Sequence, residues 1–445
     1  MTTTDRTVME WRASLGAEYL VPKRIPPLSV AELTLATSLA VDLAEGRTPG
    51  HAQRVCYIAM AMASALELDE TEGAAIFYGA LMHDLGVPFV AARLTQRLSL
   101  DEEKIFGQHP PHMFDKLMAM LPEREASSID KLIDSHSQLG ADCADDLKLP
   151  EGAVAAIRSH HEHWDGSGMP GALMGNSIPL AARIMALAHV SESVMSAQNS
   201  ALSARNSVAT VVAKMAGVQL DPELVDVFYR VVRADSFWLA YYDDGLSELM
   251  VESRPGESHK RSRRITMDFA HTFADVIDAK CGYAHGHSAR CADLARKLAV
   301  RARLEDGHAD LVWWAALMRD VGHLGVPSRI MAKSDILTIE EMQVMQQHPL
   351  HSRMVIECLP GMSDVATWVG MHHEWPDGKG YPESLHDAEI PLEAKIVSVV
   401  DVYSALTSDR PYRETLDRGT AIDIIDGASG SQLDSELVQL LREVV

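Results

Sequence analysis

The pattern of apolar and polar positions reads as helix nearly everywhere, and no stretch alternates in the way a half-buried strand would. Start signals are explicit. Ser99-x-x-Glu102 and Thr338-x-x-Glu341 have the form of capping boxes. Asp221-Pro222 places an N-cap and an N1 proline ahead of an apolar-periodic run, Leu224 to Val232. The Gly/Pro clusters at 165–171 and 377–382 read as loops between helices. Arg254-Pro255-Gly256-Glu257-Ser258, followed by the basic run Lys260 to Arg264, reads as a linker.

The same order of motifs occurs twice. His83-Asp84-Leu85-Gly86 is echoed by Arg319-Asp320-Val321-Gly322, and His160-His161-Glu162 by His372-His373-Glu374. Gln219-Leu220-Asp221 returns as Gln432-Leu433-Asp434. Gly50-His51 and Gly286-His287 are 236 residues apart, as are Asp84 and Asp320. Val87-Pro88 and Val326-Pro327 are 239 apart, so the first copy lacks three residues there; His160 and His372 are 212 apart, so it carries a 27-residue insertion between Pro88 and His160. Anchors matched in one order indicate a tandem duplication. The expected organisation is an N-terminal extension (1–34), a first domain (35–250), a linker (251–266) and a second domain (267–445).

Composition narrows the function classes. At about 100–200 residues per domain, 445 residues make two to four domains. Hydrophobic residues at 47% and charged residues at 23% are ordinary for a globular protein. The net charge of −23 disfavours a broad nucleic-acid face and an anionic membrane, although a bound cation can still draw in a small anion. The longest apolar run, Leu311 to Met318, sits between Asp310 and Arg319 and is short of a membrane span. Residues 1–24 have no signal-peptide core, and five cysteines without CxxC spacing suit reduced thiols in a cytoplasm.

Histidine is the unusual component, with 20 residues that cluster. A lone histidine on an apolar helix is usually a satisfied core residue. A His-Asp pair and a His-His pair recurring with single histidines have another chemistry: imidazole plus carboxylate suits Fe, Mn, Zn or Ni. Two such ions about 3.5–4 Å apart form a clamp for in-line attack on a phosphodiester.

His-Asp, His-His-Glu-x-x-Asp-Gly-x-Gly-Tyr-Pro and the segment Asp401 to Arg413 resemble the HD-GYP branch of the HD superfamily, over roughly residues 35–232 and 270–445. The resemblance implies an all-α fold, here two tandem HD-GYP-like bundles. It also implies a divalent metal, Fe or Mn, and hydrolysis of cyclic di-GMP or a related cyclic dinucleotide, a small anionic nucleotide. Carried over by motif, the first copy supplies His51, His83, Asp84, His160 and His161, with Asp84 the catalytic, metal-bridging carboxylate. One further histidine is needed. His109 shares the register of His348-Pro349, whereas His136 precedes His160 by the 24 residues that separate His348 from His372 and is followed by Gly140-Ala141; this favours His136. The family's last acidic ligand is replaced by His189, so one or two ions are expected in this copy.

The second copy supplies His287, Asp320, His348, His372, His373 and Asp401, but Arg319 stands where a ligand histidine belongs. A guanidinium cannot ligate, so a salt bridge is expected in place of one ion. His323 stands where the family has a phosphate-contacting lysine, and the first copy's deletion removes that lysine. The position of a third-metal acidic ligand, four before the first histidine, is Arg47 in one copy and Tyr283 in the other.

The expected function is a metal-dependent phosphodiesterase in the cytoplasm, with chemistry in the first copy and the second structural or regulatory. A homodimer or a signalling partner is compatible with this. The alternatives are a non-catalytic nucleotide sensor or scaffold, and an HD-type di-iron enzyme with another reaction.

Overall fold

The computed structural model describes residues 25–98, 102, 105, 123–198, 200–243, 245–255, 262–281, 286–408 and 415–445. Among them there is no strand, only isolated bridges such as Ala216–Leu220 and Ser429–Leu433. The all-α expectation therefore holds. His109, Ser99, Lys260 and residues 409–414 lie outside the described residues.

The first half runs α1 (Val30–Ala44), α2 (His51–Ala65), α3 (Glu70–Met82), α4 (Val87–Leu98), α5 (Glu123–Asp146), α6 (Glu151–Ser159), α7 (Leu180–Ser196), α8 (Ala201–Met215) and α9 (Pro222–Val231), followed by α10 (Asp235–Tyr241) and α11 (Leu246–Glu252). The second half repeats the order as α12 (Arg263–Cys281), α13 (His287–Arg301), α14 (Asp306–Met318), α15 (Ser328–Met331), α16 (Ile339–Met345), α17 (His348–Glu357), α18 (Ser363–Gly370), α19 (Leu392–Thr407), α20 (Arg418–Ala428) and α21 (Ser435–Val444). Thr338 and Glu341 form the expected capping box, and Asp221 caps α9 ahead of Pro222.

One apolar core runs through both halves. Its centre is α1, which is apolar on nearly every side and buried from Ala31 to Ala44. This helix packs on α3 of its own half and on α17 and the Val321–Gly325 turn of the other. Conversely, α12 packs on α4. One expectation changes here. The boundary after residue 34 cuts α1, which starts at Val30 with a complete capping box between Ser29 and Glu32. Glu102, whose expected capping partner Ser99 lies outside the described residues, reaches across the halves: its Oε1 accepts from Lys280 Nζ (2.6 Å) and from the Ser328 N–H (2.9 Å).

The stretch Glu70–Ala91 is long and apolar enough to cross a membrane by composition, and exceeds the run noted at Leu311; 89% of its most apolar window is buried inside the fold, as in a core helix. None of the five cysteines forms a disulfide.

Candidate metal centres in the two halves

The first ligand of each half opens a helix that lacks a side-chain cap of its own. Gly50 and Gly286 precede α2 and α13 in the left-handed region, at φ 91° and 70°, where glycine alone is unstrained. The orphan N–H groups of these helix starts are met from the preceding helix. Asp42 accepts from the N–H of Gly50 (2.7 Å) and Ala52 (3.0 Å), and Asp278 accepts from Ser288. His51 and His287 are thereby held at matched positions.

In the first half, two groups of potential ligands form: His51, His83, Asp84 and His189, and Asp84, His136, His160 and His161. Asp84 belongs to both. Its Oδ2 lies 2.8 Å from His83 Nε2, and its Oδ1 lies 3.6 Å from Nε2 of both His136 and His160. All seven histidines and carboxylates carried over to this copy are thus brought together, and His136 is among them.

Hydrogen bonds behind the rings fix which nitrogen faces the pocket. His83 Nδ1 donates to Ala80 O (2.8 Å) and His160 Nδ1 to Ile157 O (2.6 Å), since a carbonyl can only accept. His51 Nδ1 meets Glu192 Oε2 at 2.5 Å, and Glu192 Oε1 accepts from Arg54 Nε at 2.8 Å. This leaves Nε2 of His51 and His160 buried and without a hydrogen-bond partner, while Nε2 of His83 faces Asp84. Buried polar atoms without partners are costly, and inward Nε2 lone pairs backed by an Nδ1–H donor are what a metal needs. The residues present fit a divalent ion.

Electrostatics agree. Burial pushes the His51 imidazole down to about 4 and holds His161 and His189 well below the ordinary histidine value, with neighbouring imidazoles or Arg47 adding to the effect. These rings are neutral at pH 7, as ligands must be. Burial works to raise Asp84, but His83 and the contacts of His136 and His160 hold it well below the usual carboxylate range. Burial lowers His83 and the adjacent Asp84 charge more than reverses this.

The second half differs at its centre. Arg319 is buried, and its Nε donates to Asp401 Oδ1 (2.8 Å), its Nη1 to Ala316 O (2.9 Å) and its Nη2 to His287 Nε2 (3.2 Å), with Asp320 Oδ2 3.0 Å away. The guanidinium takes the acceptors that one ion would need, so the expected salt bridge is present, and His287 and Asp401 face Arg319. The other carried-over residues assemble with one addition: His348, His372 and His373 form one group, and Asp320, His323 and His348 another. His323 stacks on His348 at 3.9 Å between centroids. His348 and His372 both donate Nδ1–H to carbonyls, of Met345 and Val369, so two Nε2 lone pairs confront each other at 3.3 Å. A shared cation relieves that contact.

The Gly-x-Pro loops are built alike in both halves. Glu162 accepts from the N–H of Gly171 (2.5 Å) and Leu173 (2.8 Å), and Glu374 from Glu383 (2.6 Å) and Leu385 (2.8 Å). Tyr381 stacks on His373 at 4.8 Å; its counterpart Met169 is exposed.

Sequence reasoning missed four residues around the first pocket. Glu192 lies three residues past His189, as Arg54 lies three past His51; the shared helix faces were the available signal. Arg47, noted only as a mismatch, enters the pocket: its Nε donates to Glu45 Oε2 (2.6 Å) and its Nη2 to His189 Nε2 (3.3 Å). The first pocket is therefore not free of fixed positive charge, as the ligand list alone implied. Glu45, buried beside Arg47 and Asp84, gave no sequence signal.

A family profile described as HD domain matches residues 115–224 and 271–437. The chain is 29% identical over 449 residues to 3'3'-cGAMP-specific phosphodiesterase 3 of Vibrio cholerae, covering 94% of this chain and 95% of that protein. It is 26% identical over 400 residues to 3'3'-cGAMP-specific phosphodiesterase 1 of the same organism, covering 88% and 86%. The crystal structure of the V. cholerae cyclic GMP-AMP phosphodiesterase V-cGAP3 superposes with a TM-score of 0.69 at 24% identity, over 94% of this chain and 98% of that one. With matching profile, fold and His/Asp constellation, the chain belongs to the HD domain family, as an HD-GYP-type phosphohydrolase.

Proposed function

We propose that the chain hydrolyses a cyclic dinucleotide in its first half, and that the second half is structural or regulatory. The observation that carries this reading is Asp84, whose two oxygens serve two ligand groups at once. Divalent ions, Fe or Mn and one or two in number, would be held by His51, His83, Asp84 and His189 and by Asp84, His136, His160 and His161. When bound, such ions acidify water and neutralise phosphodiester charge. The chain's own part is to keep the imidazoles neutral and aimed, through Ala80, Ile157 and Glu192, and to exclude bulk water by burial. Relatives that span nearly the whole chain act on 3'3'-cGAMP, which makes it the first substrate to test, beside cyclic di-GMP.

The residue ranges support two HD-GYP-like units, one from about residue 25 to the end of α11 and one from α12 onward. Arg319 supplies positive charge where the second unit would need an ion, so one ion or none belongs there.

The deciding experiment is a paired substitution. Asp84→Ala should abolish turnover of both dinucleotides, by ~10³-fold or more given the several kcal/mol such a clamp supplies. Asp320→Ala should leave turnover largely in place and act on stability. The reverse result would move the chemistry to the second half.

A further inference from the structure

A phosphate oxygen beside the candidate ligands of the first half would gain from a fixed cation as well as from a bound ion. Arg47 is the guanidinium that reaches a candidate ligand there. It precedes α2 in the Arg47-Thr48-Pro49-Gly50 loop, its side chain is 8% exposed, and Glu45 holds its Nε from behind. The opposite edge of the guanidinium points inward, with Nη2 3.3 Å from His189 Nε2. That nitrogen has one lone pair. Once a metal takes it, the Nη2 N–H loses its acceptor while remaining beside the ligand set. An unpaired donor on a buried cation is costly, and an anionic oxygen on the metal side satisfies both charges. Planar, bidentate-capable guanidinium suits phosphate oxygens better than an ammonium does.

We propose that Arg47 is a substrate-binding residue that grips a non-bridging phosphate oxygen of the nucleotide when the first pocket is metal-loaded. Arg319 gives the contrast. It sits among His287, Asp320 and Asp401, with every nitrogen engaged by the protein, so it replaces an ion. Arg47 hydrogen-bonds one candidate ligand, His189, and its charge is felt at Asp84, His51 and His83, so it stands beside the ligand set and faces what the ions would hold. The proposal takes from the phosphodiesterase reading only the identity of the anion.

The test is direct binding of inorganic phosphate to the full-length, Mn-loaded protein by calorimetry, with metal content measured on the same samples. Arg47→Gln should leave the number of ions per chain unchanged and weaken phosphate binding ~10–100-fold, the loss of one charge-assisted hydrogen bond. Arg47→Lys, which keeps the charge, should stay within about threefold of the parent, and serves if the glutamine variant does not fold. Unchanged phosphate affinity in Arg47→Gln overturns the proposal, as does a tenfold loss in a folded Arg47→Lys protein. A gain of one ion per chain in Arg47→Gln also overturns it, because Arg47 would then be a plug like Arg319. A parent that binds phosphate through Arg47 but hydrolyses no cyclic dinucleotide would remove the functional reading and leave this one standing.

Discussion

Gly86 and His136 touch where no side chain fits: a Cβ on Gly86 would stand 1.9 Å from the His136 carbonyl oxygen. Gly322 and His348 repeat the contact at the same 1.9 Å. The glycine two residues past each aspartate thus docks the helix that brings the next histidine, whether that residue begins its helix, as His348 does, or lies within it, as His136 does. The match identifies His136 as the counterpart of His348 independently of spacing.

Gly86→Ala should push α5 outward and lower the metal content of the first half, at a stability cost of ~1–3 kcal/mol for overpacking. Elemental analysis and thermal unfolding of one preparation check this. Full metal content in a Gly86→Ala protein would show that His136 does not depend on the contact.

Arg319→His would give the second half the residue type that His83 gives the first. Bound metal should rise by one ion per chain. Arg319→Ala should instead destabilise the protein by ~3–5 kcal/mol, because buried Asp320 and partly buried Asp401 are held ionised mainly by that guanidinium. Denaturant titration separates the two variants; equal stability would deny Arg319 its charge-balancing role.

Burial pushes the Asp278 carboxyl up to about 6 despite its bonds from Ser288. An unfolded aspartate titrates near ~3.9, so the folded state keeps a proton that the unfolded state releases between those values. The stability tied to this group is full below about pH 4 and is lost as pH rises through 6, by up to ~3 kcal/mol. Asp278→Asn keeps an acceptor for the helix start and cannot titrate. Its stability should therefore fall less between pH 4.5 and 7.5 than the parent's, and parallel curves would contradict the assignment.

Lys280 and Glu102 form a buried pair across the halves, and Lys280 holds the Glu102 carboxyl below its ordinary range against burial. Lys280→Met or Glu102→Leu alone should cost ~3–5 kcal/mol, and the double replacement should recover much of that loss. Additive losses would mean the pair is not coupled.

The helical fold and the His/Asp constellation were legible because both are periodic: helices repeat locally, and the motifs repeat along the chain. His136 was legible through its distance to His160. Asp42 on the start of α2, Glu192 behind His51 and Glu102 on Lys280 were not. Each is a single polar contact between residues far apart in sequence, chosen by packing, and no local pattern encodes it. Arg47 was visible as a residue type but not as a neighbour of His189, because the two lie 142 residues apart and meet only in the tertiary fold.

The position of α1 bears on how the second half could change. A helix buried against both α3 and α17 makes the two bundles mutual chaperones: neither has a finished surface without the other. Such an arrangement constrains the outline of the second half whatever its site holds, since losing that outline would expose α1 and loosen the first half with it. A gene fragment encoding only one half would inherit a sticky face rather than an independent enzyme.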